Sequence, residues 1–87
     1  MIDIKILSPR SPQRYAVSRT LLAAQDDMLK MYPDFEMAIT EIRTLTELEQ
    51  YTSVIILPSL VVNGKLVCVG RFPKKEEVIR WLQEAME

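Results

Sequence analysis

The chain has 87 residues, of which 48% are hydrophobic and 26% charged, with only two glycines; this suits one domain with a modest core and excludes a disordered tail, a fibrous repeat or a two-domain protein. Eleven basic side chains stand against twelve acidic ones, for a net charge of −1, so no overall field draws in nucleic acid or an anionic membrane, and neither is an expected partner. Cys68 is the single cysteine and histidine is absent, which removes an internal disulfide, a Cys/His zinc site and every histidine-based catalytic arrangement.

Ile2, Ile4 and Ile6 alternate with Asp3 and Lys5, predicting a strand over residues 2–7 with one face buried. The acid and base inside this run, the lack of a small-residue cleavage site, and the absence of any apolar stretch near the roughly 18 residues of a membrane span point to a cytoplasmic protein. Ser8-Pro9-Arg10-Ser11-Pro12 breaks the strand, and Ser11 followed by Pro12 reads as an N-cap with proline in the first turn. Val17, Leu21, Ala24, Met28 and Met31 then recur at helical spacing, with Ser18, Arg19, Gln25, Asp26 and Lys30 on the other side, so a long helix is expected to end near Tyr32, before Pro33.

Phe35, Met37 and Ile39 alternate with Glu36, Ala38 and Thr40, predicting a second strand that the helical crossover makes parallel to the first. Thr44-Leu45-Thr46-Glu47 fits a capping box and opens a short helix through about Tyr51, with Leu45 and Leu48 on its apolar side. The apolar run Val54 to Leu57 is interrupted by Pro58; Leu60-Val61-Val62 then turns at Asn63-Gly64 into Lys65-Leu66-Val67-Cys68-Val69, a hairpin signal because both turn positions require positive φ. Gly70-Arg71-Phe72-Pro73 leads into a last helix from Lys74 to Met86. The fold class is therefore α/β, in the order β-α-β-α-β-β-α, with residues 1–87 forming a single domain around a mixed four-stranded sheet ordered 2-1-3-4 and flanked by helices.

The ordered set of Lys5-Ile6-Leu7, Ser11-Pro12-Gln13-Arg14, Leu57-Pro58-Ser59-Leu60-Val61-Val62-Asn63-Gly64-Lys65 and Gly70-Arg71-Phe72-Pro73 resembles the small thioredoxin/glutaredoxin-like proteins of bacteria and archaea, over essentially the whole chain. In that family the first strand runs into a Cys-Pro-x-Cys motif at the start of the first helix, and a cis proline precedes the hairpin. The resemblance thus implies a thioredoxin-like fold with a cis bond before Pro58, and it places Ser11 and Arg14 where the two thiols belong. Thiol exchange needs a thiolate of lowered pKa and a second thiol to resolve the mixed disulfide; a serine hydroxyl without an adjacent base supplies neither. The sequence therefore departs from the family's activity, no catalytic or metal-ligating residues are assigned, and no cofactor is expected.

Three readings remain open. The first is a redox-inactive, non-catalytic protein- or peptide-binding module using the former active-site surface, with Arg10, Ser11, Pro12, Arg14, Leu57, Pro58 and Arg71 as its residues. The groove beside the cis proline is where thioredoxins bind extended polypeptide, and Ile56 and Leu57 would add apolar surface to it. The second is a small-anion or glutathione-type ligand held by Arg10, Ser11 and Arg14 at the helix N-terminus, with Arg71 in the loop that in glutaredoxins contacts the glutathione carboxylates. The third is weak monothiol oxidoreductase activity through Cys68, although a free cysteine among Leu66, Val67 and Val69 reads first as a small buried hydrophobe. Trp81 and Tyr51 read as packing residues.

Overall fold

Ile2, Ile4 and Ile6 do face the interior, on the first strand of a computed structural model that describes residues 1–50 and 57–87. That strand, β1 (Ile2–Leu7), lies in the middle of the sheet, and the chain continues through α1 (Ser11–Met31), β2 (Met37–Ile42), α2 (Leu45–Leu48), β3 (Ser59–Val62), β4 (Lys65–Val69) and α3 (Lys75–Met86). The four strands form one mixed sheet in the order β2-β1-β3-β4, as the connection rules require. β1 pairs parallel to β2, with Ile4 opposite Ile39 and Ile6 opposite Glu41, and antiparallel to β3, with Ile4 opposite Val62.

The period of two along β1 separates two layers. On one face Ile2, Ile4 and Ile6 meet Leu60 and Val62, and α1 and α3 cover them with Val17, Leu21, Ala24, Met28, Val78, Trp81 and Leu82. The buried α1 positions recur at three- and four-residue steps, as one helical stripe must. On the other face Leu7, Ile42 and Val61 gather with Leu48 of α2 in a smaller cluster. Full burial of a Leu or Ile side chain is worth about 1.5–3 kcal/mol, so the first face dominates the stability of the domain. Further along the second face Asp3 and Lys5 pair with each other. Trp81 is a core residue, as its spacing implies. Tyr51, Val54, Ile55, Ile56 and the side chain of Leu45 lie outside the described residues. Among the described residues, no helix is long and apolar enough to cross a membrane.

The hairpin turns at Asn63 (φ 49°) and Gly64 (φ 81°), the two left-handed positions that a two-residue turn demands. Asn63 also ties the turn to β1, because its side-chain oxygen accepts the Asp3 N–H at 2.8 Å while its own N–H reaches Asp3 O at 2.7 Å. At the other end of β3 the Leu57–Pro58 peptide bond is cis.

Several element boundaries differ from the sequence reading: α2 ends at Leu48 rather than about Tyr51, and α3 begins at Lys75 with Lys74 as its N-cap. The N-cap of α1 is Arg10, in extended conformation, rather than Ser11; Ser11 and Pro12 occupy the first two helical positions. The reason lies upstream: Ser8, fully buried, accepts the Arg10 N–H on its Oγ at 3.1 Å, and the Arg10 carbonyl accepts the first helical N–H, that of Arg14, at 3.1 Å. A proline at the second position removes a donor that would have had no helical partner. β2 begins at Met37 instead of Phe35 and runs on to Ile42. Phe35 is held in the preceding turn, where its N–H bonds Tyr32 O at 2.9 Å, yet its ring still enters the core. Its apolar periodicity reported burial and not strand.

Candidate functional site

Three segments meet at the end of the sheet where β1 gives way to α1. Ser8 organises the first. Its N–H donates to Ile42 O at 3.1 Å, its carbonyl accepts from Arg14 Nη1 at 2.9 Å, and its hydroxyl accepts from Arg10 N at 3.1 Å while donating to Gln13 Oε1 at 2.5 Å and, at a longer 3.5 Å, to Arg10 O. A buried hydroxyl so fully used fixes the strand-to-helix turn. The second segment is Leu57-Pro58. The third is the loop after β4, which is tied to Pro58 by the Gly70 N–H donating to Pro58 O at 2.9 Å. That bond holds Arg71 and Phe72 at the same end of the molecule.

Of the residues singled out from the sequence, Arg10, Ser11 and Pro12 are exposed at the start of α1, Leu57 is half-buried and Pro58 is buried. Pro9, Arg10, Gln13 and Leu57 line a shallow depression of about 270 Å³. Phe72, at 53% exposure, adds a large apolar side chain to this end of the surface. A second depression, of about 400 Å³, lies at the opposite end of β3, beside Asn63 and Trp81, and shares no residue with the first.

Arg14 is directed inward. It retains only 8% of its surface. Its Nη2 donates to Ser11 Oγ at 2.9 Å, its Nη1 to Ser8 O, and its Nε faces Glu41 Oε1 at 3.6 Å, too long for a hydrogen bond but close enough for charge pairing. Glu41 also pairs with Arg43 at 2.8 Å. Glu41 reaches Arg14 because the parallel register sets it level with Ile6, one residue short of the end of β1. The guanidinium thus fills the space behind the first helical turn and satisfies groups of its own chain.

Arg71 is exposed and forms a fork on Glu77, with Nη1–Oε1 2.8 Å and Nη2–Oε2 2.6 Å. Glu77 also accepts the Lys74 N–H at 3.1 Å, the carboxylate half of a capping box at the start of α3. These hydrogen bonds, the Arg71 pair foremost, lower the Glu77 carboxyl to about 2. Cys68 is buried on β4; burial pushes its thiol up from the usual value, and the nearby Arg71 offsets this only in part. Its Sγ donates to Arg71 O at 3.3 Å.

Sequence reasoning overlooked Ser8, Gln13, Glu41, Glu77 and Phe72. Glu77 carries a usable signal, an acid at the third helical position beyond Lys74, and Ser8 could have been read as a turn serine two residues ahead of a free N–H. Glu41 carries none, since only the strand register brings it to Arg14.

The family described as thioredoxin domain matches residues 2–83 of the chain. No curated protein and no solved structure matches it.

Proposed function

The chain belongs to the thioredoxin-domain family, and on that premise we propose that it is a redox-inactive member working in the cytoplasm as a non-catalytic protein- or peptide-binding module. The observation that carries this reading is Arg14. At the place the resemblance gives to the family's second thiol it holds Ser8 O and Ser11 Oγ and faces Glu41, so the first helical turn is braced by a buried cation where exchange chemistry needs a resolving thiol. Ser11 has no base beside it among these contacts. Cys68 is buried with a raised pKa and has no second cysteine, which suits it poorly to thiolate attack.

The partner chemistry follows from what remains accessible. Leu57 and Phe72 offer apolar contact, Pro9 and Gln13 line the depression together with Leu57, and Arg10 with the N–H groups of the first turn favours a carboxylate. A short extended segment with an apolar side chain followed by an acid fits this combination. A peptide is preferred to a small anion because Arg14 and Arg71 already carry counter-ions, Glu41 and Glu77. The test is amide chemical-shift mapping with a library of short apolar-acidic peptides, alongside glutathione and inorganic phosphate. Saturable shifts at Arg10, Gln13, Leu57 and Phe72 with peptide, weakened in Phe72→Ala, are expected. Saturable shifts at Arg10 and Ser11 with glutathione or phosphate but none with peptide would overturn the reading in favour of a small-anion site.

A further inference from the structure

The outward surface of α1 carries a second apolar stripe that none of the described residues covers. Tyr15, Leu22 and Leu29 follow one another at seven-residue spacing and are 66%, 49% and 38% exposed. At about 100° per residue they share one line along the helix, well round from the buried stripe of Val17, Leu21, Ala24 and Met28. They also lie away from α3, since Asp27, which pairs with Lys75 of α3 at 3.0 Å, sits on the far side of the helix. Seven-residue spacing is the repeat of a helix that packs against another helix. Arg19 and Asp26, both exposed, flank the stripe along one border, three residues before Leu22 and four after it. The Arg19 guanidinium stands 5.8 Å over the Tyr15 ring.

We propose that this stripe is a docking surface for a second copy of the chain, the two α1 helices crossing antiparallel with Leu22 against its own counterpart. The charge pattern selects this occupant and this direction. About a twofold axis through Leu22, Tyr15 of one copy meets Leu29 of the other, and the two borders carrying Arg19 and Asp26 come together. With a rise of about 1.5 Å per residue, Arg19 and the other copy's Asp26 then fall within about 1.5 Å of the same level along the axis, and the pairing occurs twice because the interface is isologous. On the opposite border Ser18 meets the other copy's Gln25, two side chains able to hydrogen-bond each other. A stripe of three apolar residues per copy, flanked by a single kind of ion pair, makes a concentration-dependent dimer rather than an obligate one.

The experiment is sedimentation equilibrium of the intact chain over a wide concentration range. A monomer–dimer equilibrium is expected, weakening with salt. Leu22→Glu should raise the dimer Kd at least about tenfold, the loss expected from removing one buried leucine at the pivot, with an unchanged circular dichroism spectrum because Leu22 is half exposed. Arg19→Asp and Asp26→Arg should each weaken the dimer, and the double exchange should restore it; this rescue separates the antiparallel register from general surface adhesion. In a Cys68→Ala background, Leu22→Cys should cross-link to itself, whereas Tyr15→Cys should cross-link only when mixed with Leu29→Cys. A chain monomeric at every concentration, or a dimer indifferent to Leu22→Glu, would overturn the proposal. So would a double charge exchange that fails to recover association.

Discussion

Arg14 Nε lies 3.6 Å from Glu41 Oε1, joining the first turn of α1 to the edge strand β2. The pair is unequally solvated: the arginine side chain keeps 9% of its surface and the glutamate 33%. Removing the arginine strips Ser8 O and Ser11 Oγ of a charged donor and leaves a space behind the turn. Arg14→Ala should therefore destabilise the fold by about 2–3 kcal/mol. Glu41→Gln should cost about 1 kcal/mol or less, because water screens the partly exposed acid. Urea denaturation of the two variants checks the ranking, and equal losses would contradict the inward role of Arg14.

Glu77 sets a pH dependence. Its carboxyl falls from an ordinary value of 4.5 to about 2 in the folded chain, chiefly through Arg71. A group whose folded pKa is depressed stabilises the fold above its unfolded pKa and loses that contribution as pH falls through the folded one. Stability should accordingly decline between about pH 5 and pH 2, and Glu77→Gln or Arg71→Gln should flatten that part of the curve. A side-chain carbon titration of Glu77 by NMR with a midpoint near 4.5 would refute the fork as drawn.

The Cys68 thiol should resist alkylating reagents in the native state, since it is 3% exposed and burial raises its pKa. Its labelling rate should rise steeply on addition of denaturant, in step with global unfolding. Rapid native-state labelling at neutral pH would mean that β4 opens locally or that the thiol lies at the surface.

Much of this architecture is legible in the sequence, for identifiable reasons. The alternation of Ile2, Ile4 and Ile6, the three- and four-residue steps from Val17 to Met28 and the Asn63-Gly64 turn are local signals, and short connections with a parallel crossover leave few sheet orders to choose from. The site is less legible. An arginine four residues beyond the N-cap reads as solvated unless its counter-ion is known, and Glu41 becomes its neighbour only through the β1–β2 register. The cap falls on Arg10 rather than Ser11 because Ser8, outside the helix, supplies the acceptor for the Arg10 N–H. The outward stripe of Tyr15, Leu22 and Leu29 gives no separate signal because the core-facing residues of α1 already account for a helical period.

Whether the chain takes part in redox chemistry is decided most directly by a disulfide-reduction assay with a dithiol reductant, run beside the Ser11→Cys/Arg14→Cys variant. Those two side chains already approach each other across the first turn, Arg14 Nη2 to Ser11 Oγ 2.9 Å, and positions three apart on a helix are neighbours. The wild-type rate should equal the protein-free blank, and the variant should form an internal disulfide and turn over above it. Wild-type turnover above the blank that disappears in Cys68→Ala would contradict the reading of this chain as a redox-inactive binding module.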